Sequence, residues 1–527
     1  MVSRGNGPGF GKHRVLKQAG GVMAFDFLIF KDEQIDEQFV DWLVNERSLD
    51  MLLHCQKLWS YYRNDTREIG IGSEVSEMSR PYRQAQEYGL PSRITGMNYS
   101  FYGGIVSDRQ ATGIGRKEVV VENDIAWRID TMVDFLFGKP VTITSRAPDN
   151  QRAQEIQRLL EAVFKSNGGV SGWQEMALLG SIYGFVDVIL RWEEEFDSRA
   201  SAAPKVKTFD KVLDKARQIT LEPIEAPRSL PILDENNYHK IKFYIQHYWQ
   251  QHNRLSDKRP IHTTVNHHGQ QLSRQHETHN TEIIGSDYWQ RYEDGELVSQ
   301  GVNPLGVVPV VHIQNMPLPS CYEGQSDVEP LIPLQDELNT RLSDRANRIT
   351  FQSFKMYLGK GIEGFEDRAV SPGRMWSTEN PEAHIEEFGG DPGSPSEESH
   401  INHIREAIDK ASGVASVAAG ILKGRIGNLT SAVALKVTLM GILAKTERKR
   451  RNYGHGIADI CRLVLMALDK TGVYPNRPEE REVDIHWPSP LPENLMEKLQ
   501  EARLKQELGV PTEQIMKELG YAQGQNG

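Results

Sequence analysis

The 527-residue chain has no apolar run approaching the roughly 20 residues that a membrane-spanning helix needs, because its most apolar stretches are cut by Gly, Lys or Asp. A soluble protein with no membrane partner is expected. Cysteine is scarce: Cys55, Cys321 and Cys461 are the only three, they lie far apart, and one must be left over. That excludes a disulfide framework and a paired-cysteine metal knuckle, and it fits a reducing cytoplasm. Basic charge is also short, since 61 Lys and Arg stand against 72 Asp and Glu for a net charge of -11. Proteins that grip DNA carry many Lys and Arg for phosphates, so composition alone gives no nucleic-acid role. Residues 1–21 are rich in Gly and basic residues but lack an apolar block followed by a small-residue cleavage site. They read as a flexible arm, not an export signal.

Catalytic patterns are missing as well. A nucleotide-hydrolysing motor needs a glycine loop ending in Gly-Lys-Ser/Thr between a strand and a helix, so that backbone amides and the Lys hold phosphates. Gly138-Lys139 precedes Pro140, residues 113–117 lack the hydroxyl residue, and residues 9–12 lie in the arm. Each is more simply a turn. His262, His267, His268, His276 and His279 are irregularly spaced, with no accompanying Cys and no HExxH helix, so they read as a polar surface hairpin with no metal. Carboxylate groups such as Glu193 to Glu195 or Glu397-Glu398 read as solvated faces or helix starts. Gly324-Gln325-Ser326 lacks the trailing Gly of a nucleophile elbow. No enzyme, no cofactor and no metal site is expected.

What remains is a large globular chain, 38% hydrophobic and 25% charged, with room for several packed regions. Residues 35–62 recur apolar at helical intervals through Phe39, Leu43, Leu49, Leu52 and Leu53. Residues 123–140 set Ile125, Ile129, Met132, Val133 and Leu136 on one face, with Asn123 as N-cap and Gly138 and Pro140 past the end. A strand is predicted at 141–144, a helix at 150–165 stopped by Gly168-Gly169, and strands at 185–192, 240–249 and 281–292.

The second half turns helical. Leu334, Leu338, Leu342 and Ala346 predict a helix within 326–354, its start set either by the capping-box spacing of Ser326 and Glu329 or by Pro333. Residues 357–393 are loop-rich with strand signals, and Ser396 opens a helix with Ile401, Ile404, Ile408 and Ala411 on one face. Three glycines follow at 420, 424 and 427, and Ser431 then caps a segment reaching about residue 469, about 58 Å if wholly helical. Gly441, Gly454 and Gly456 each cost about 1 kcal/mol against Ala there, so a bend or break is expected. Short helices are predicted at 492–508 and 512–519. Within the long helix Lys445, Arg448, Lys449, Arg450 and Arg451 form a basic run. It either touches phosphates or faces a neighbouring subunit's carboxylates, and the interleaved Glu447 with Tyr453 beyond favours the second.

Five segments, in order, resemble those of tailed-bacteriophage portal proteins, the head-to-tail connectors of the portal vertex family. They are NDIAWRIDTMVDFLFGKPVTI from Asn123, NPLGVVPVVHIQN from Asn303 and YEGQSDVEPLIPLQDELNTRLSD from Tyr322. ASGVASVAAG with the following GNLTSAVALK is the fourth, and VDIHWPSPLPENLMEKLQEARLKQELGVPTEQIMKELGY closes the series. The resemblance spans most of the chain from about residue 123 to 521, and is poorest before Asp124 and over 196–300.

The resemblance implies an α+β portal fold. Its parts are a mixed α/β wing over 22–325 with a hairpin insert at about 196–300, stem helices at 326–354 and 395–419 around a small β clip at 355–394, a tunnel loop at 420–430, a long kinked helix returning to the wing over 431–488, and a helical crown over 489–527. It further implies a cyclic ring, a dodecamer, at one capsid vertex of the virion, assembled in the host cytoplasm. Its partners are other copies of the chain, double-stranded DNA in transit during packaging, retention and ejection, the terminase large subunit, a head-completion or adaptor protein, and major capsid and scaffolding proteins. Gly420, Lys423, Gly424, Arg425, Gly427 and Asn428 are the implied channel residues, with Lys445, Arg448, Lys449, Arg450 and Arg451 as secondary basic contacts. Twelve copies at -11 would carry about -130, and a mostly acidic wall keeps a duplex centred and mobile. The rival readings are a packaging enzyme, disfavoured by the missing phosphate loop, and a ring-shaped connector or scaffold without a DNA channel.

Overall fold

The computed structural model describes residues 37–64, 98–99, 105–106, 120–192, 208–251, 263–265, 271–273, 277–353, 356–360, 381–382, 384–388, 395–419, 437–491, 495–512 and 515. It is an α+β fold that divides into two compact units, Met1–Met51 with Pro227–Val308, and Leu52–Ala226 with Pro309–Gly527. In chain order come α1 (Glu37–Trp42), a π-helical turn (Leu43–Arg47) and α2 (Ser48–Arg63), then the short pair β1 (Asn98–Tyr99) and β2 (Ile105–Val106). Next are α3 (Ala126–Phe137), β3 (Thr142–Ser145), α4 (Asn150–Ser166), α5 (Val170–Tyr183) and β4 (Phe185–Trp192). They lead to α6 (Phe209–Ala216), β5 (Ile219–Ile224), β6 (Ser229–Asp234), β7 (Asn237–Gln251), β8 (Thr263–Val265) and β9 (Gln271–Ser273). β10 (Glu277–Ile284), β11 (Tyr288–Glu293), β12 (Glu296–Val302) and β13 (Val310–Gln314) complete the first half. The second half holds α7 (Ile332–Ser353), β14 (Met356–Lys360), β15 (His384–Phe388), α8 (Pro395–Ser412), α9 (Met440–Lys470), β16 (Val483–His486) and α10 (Leu495–Glu507).

The smaller unit is a five-stranded antiparallel sheet in the order β12-β11-β10-β7-β6. Leu230, Phe243, Ile245, Ile283 and Tyr292 from four strands bury against Val40, Leu43 and Val44 of the N-terminal helix. Burial of that apolar face is the main force holding the helix to the sheet. The stretch 281–292, expected as one strand, is two. Gly285-Ser286-Asp287 turns the chain, and the Gly285 amide donates to the Tyr288 carbonyl at 2.8 Å. Phe39, Leu49 and Leu53, expected on the apolar face of their helix, are exposed.

The larger unit is built on the three-stranded sheet β13-β4-β5. Helices α5 and α9 pack against it, and β16 pairs with β3 beside α9. α3 and Ile125 just before it place Ile125, Ile129, Met132, Val133 and Leu136 in the core as the spacing requires. The Asn123 side chain accepts from the Ala126 amide at 3.0 Å, which caps the first turn. α5 has no sequence periodicity because Met176, Ala177, Leu179, Ile182 and Tyr183 bury it on several sides.

No break interrupts the long helix, and α9 runs continuously from Met440 to Lys470. Its glycines serve close packing. A Cβ on Gly456 would stand 2.4 Å from the Ile313 side chain of β13, so only glycine lets helix and strand meet there. Ile401, Ile404 and Ile408 of α8 are buried as predicted, whereas Ala411 is exposed. Of the predicted helix at 512–519 only Thr512 and Ile515 are among the described residues, both helical, and the cap at Ser431 lies outside them.

Candidate functional site

The segment that opens α7 is held to the core by backbone before it becomes helix. Gly184, just after α5, has φ +95, and a Cβ there would lie 2.1 Å from the Gly324 carbonyl oxygen; a Cβ on Gly324 would lie 2.4 Å from the Gly184 oxygen. Two peptides therefore meet face to face in a space that admits no side chain. Ser326 then donates to the Ile182 carbonyl at 2.5 Å and accepts from the amides of Val328 and Glu329. The regular helix starts at Ile332 after a 3-10 turn over Glu329–Leu331, with Pro333 in its first turn. Both predicted start signals thus act, one on each part.

Along α7 a polar stripe is buried, and this was not legible in the apolar pattern. Gln335, Asn339 and Ser343, four residues apart, bond the extended backbone of residues 120–124. The Asp124 amide donates to Gln335 at 3.1 Å, the Glu122 amide to Asn339 at 3.0 Å and the Val120 amide to Ser343 at 3.0 Å. In return the Gln335 amide donates to the Glu122 carbonyl at 2.6 Å. An otherwise unpaired strand-like segment is satisfied by side chains at helical spacing. Tyr61 of α2 donates to Asp336 at 2.9 Å on the same helix.

Behind the start of α7 lies a buried charge cluster. The Lys449 ammonium is fully buried, 2.5 Å from Asp327 and 2.8 Å from the Ser181 hydroxyl. Lys445 places its ammonium 2.8 Å from the other Asp327 oxygen and donates to the Ser412 carbonyl at 2.7 Å. Asn315 adds a donor to Asp327 at 3.0 Å. Burial acts to raise the Asp327 pKa, but the ammoniums of Lys449 and Lys445 outweigh it and hold the carboxyl well below the usual range. Burial draws Lys449 down to about 8, because the one carboxylate is shared with Lys445. One anion therefore serves two cations.

α7 and α8 pack together and flank the antiparallel hairpin β14-β15. α8 is tied to the 120–128 region by Arg405 to Glu122 at 2.7 Å and by Arg128 to Asp409 at 2.5 Å, with Arg128 only 2% exposed. These ties fix the direction in which both helices leave the core of this unit.

The sequence-derived site residues fall into two groups. Gly420, Lys423, Gly424, Arg425, Gly427 and Asn428 lie outside the described residues, as do His262, His267, His268 and His276. The basic run is described throughout. Lys445 and Lys449 converge on Asp327, and Arg450, 8% exposed, donates to the Pro488 carbonyl at 2.7 Å and stacks over Trp487. Arg448 and Arg451 are exposed on α9. Among the described residues no group of His, Cys, Asp and Glu is arranged to hold a metal ion, and no helix is long and apolar enough to cross a membrane.

The model of the family "Phage portal protein, SPP1 Gp6-like" matches residues 121–525. The chain belongs to this portal protein family. The match begins inside the backbone stretch that α7 holds and takes in every element from α3 to α10. Portal-family membership thus covers the pinned glycine pair, the polar stripe and the charge cluster alike. No curated protein matches this portal protein. Among solved structures it is similar to a chain of "Virion of native gene transfer agent (GTA) particle", at 11% identity, covering 76% of this chain and 86% of that one with a TM-score of 0.37.

Proposed function

We propose that copies of this portal-family chain join head to tail in a closed ring, a dodecamer at one capsid vertex, whose channel passes double-stranded DNA during packaging, retention and ejection. The observation that carries the reading is the pair α7 and α8 on either side of the β14-β15 hairpin, within a chain matched to the portal family over 121–525. A helix pair that lines a tube buries its sides against copies of itself, and repeated head-to-tail contacts close into a ring. The hairpin lies between the two helices in sequence, so in such a tube it sits at the tip. There the terminase large subunit would dock during packaging, and a head-completion protein would replace it. Residues 326–354 and 395–419 act as the stem, 355–394 as the clip, 420–430 as the tunnel loop and 489–527 as the crown. The ring has a structural role, with no reaction of its own.

The channel wall in this reading is acidic overall, with Lys423 and Arg425 forming a thin basic collar. Few phosphates are touched at once, so affinity stays low and sensitive to salt. Replacing Lys423 and Arg425 together by Ala is expected to leave ring assembly intact and to lower the yield of packaged, retained DNA severalfold, measured as full-length DNA protected from nuclease per particle. A double variant that packages at the wild-type rate and yield removes the collar from the account.

A further inference from the structure

α8 ends at Ser412 and α9 starts at Met440, and the chain between them passes through residues 420–436. The two flanks of that segment meet at one place. Gly413 ends α8 with φ +71, and a Cβ on Gly441 would stand 3.2 Å from the Gly413 carbonyl oxygen, so the two backbones are in direct contact. Val414 from one flank and Leu439 and Ile442 from the other bury together with Met132 of α3. Over this junction lies Lys445, whose ammonium donates to the Ser412 carbonyl at 2.7 Å and pairs with Asp327 at 2.8 Å.

The charge count separates Lys445 from Lys449. Asp327 and the fully buried Lys449 make a neutral pair by themselves, so Lys445 is not needed to balance the carboxylate. What Lys445 alone provides is the bond to a carbonyl in the last turn of α8, where backbone acceptors lack helical partners and the helix dipole favours a cation. It is the side chain that joins the end of α8, the first turns of α9 and the residues leading into α7.

We propose that Lys445 is a positioning residue: one ammonium group fixes both flanks of residues 420–436 to the start of α7, and so sets the place from which that segment reaches the DNA. The proposal rests on the channel reading above. It assigns to Lys445 a role distinct from touching phosphates.

The test compares full-length wild type with Lys445→Met and Lys445→Arg. In hydrogen exchange, Lys445→Met should speed amide exchange roughly tenfold in peptides covering 412–419 and 437–446, with the rest of the chain unchanged. The melting temperature should stay close to wild type, because the Asp327 and Lys449 pair remains. Lys445→Arg, which keeps a cation at the site, should restore slow exchange. In assembled particles the Met variant should lose retained DNA severalfold and the Arg variant should recover it. Unchanged exchange at the two flanks, or faster exchange spread evenly over the chain, overturns the proposal. So does faster local exchange with wild-type DNA retention, provided that the Lys423 and Arg425 double variant loses DNA in parallel. If that double variant also retains DNA normally, the collar falls and the positioning role with it, while the exchange result still reports whether Lys445 joins the flanks.

Discussion

Asp327→Asn is expected to lower the stability of the protein by about 3–5 kcal/mol, because it leaves two ammonium groups in a buried site with no anion. Lys449 has no exposed surface, so it cannot turn to water for compensation. Adding Lys449→Met to Asp327→Asn should recover part of the loss, and the difference between the double variant and the sum of the singles measures the coupling. Thermal and denaturant unfolding of the four proteins decide the matter. Additive losses would show that the two groups do not sense each other.

The same cluster sets a pH dependence. Asp327 titrates lower in the fold than in the unfolded chain, so its contribution is present above the ordinary carboxylate range and fades only as pH falls through the depressed folded value. Lys449 titrates at about 8 in the fold against 10.5 unfolded. Between those values the unfolded chain binds more protons, so this group makes stability rise with pH across that window. Lys449→Met should flatten the rise, and an unchanged slope would contradict the assignment.

Gly184→Ala is expected to cause a loss of similar size. At φ +95 a non-glycine residue carries backbone strain of about 1–2 kcal/mol, and the new methyl would also lie 2.1 Å from the Gly324 oxygen. That oxygen belongs to backbone, so relief requires moving the segment that leads into α7, an overpacking penalty of about 1–3 kcal/mol or more. Gly509→Ala separates the two effects, because Gly509 also closes a helix, has φ +88 and has open space around its Cβ position. Melting should rank wild type highest, Gly509→Ala next and Gly184→Ala lowest. Equal losses in the two variants would show that the contact with Gly324 contributes nothing.

Much of this architecture is legible from residue spacing. The apolar faces of α3 and α8 and the strand β4 follow from periodicity and caps, because each element buries one clear face or sits wholly in a sheet. α5 escaped because an all-round buried helix has no polar side to mark its period. The three glycines of α9 read as breaks, yet Gly456 gives Ile313 room and the helix continues. For the site, sequence order identified the segment from Tyr322 to Asp344 through resemblance but not its physics. Nothing in the run from Lys445 to Arg451 tells that Lys449 points inward while Arg448 stays in solvent. The partner is Asp327, more than a hundred residues earlier, and only the tertiary fold brings the two together. The stripe Gln335, Asn339 and Ser343 is a helical period written in polar residues, and a reading restricted to apolar spacing passes over it.

The central claim is that this chain forms a closed ring around a DNA-wide channel. Its apolar and aromatic exposure fits that requirement: Phe39, Trp42 and Leu49 in the smaller unit and Leu499, Leu504 and Leu508 in and just after α10 are all uncovered in the single chain. Electron microscopy of the purified protein, with native mass spectrometry on the same sample, tests the claim most directly. The account predicts closed particles of twelve copies with a central hole wide enough for a DNA duplex. Monomers alone at micromolar concentration across a range of salt, or rings with no open centre, would contradict it.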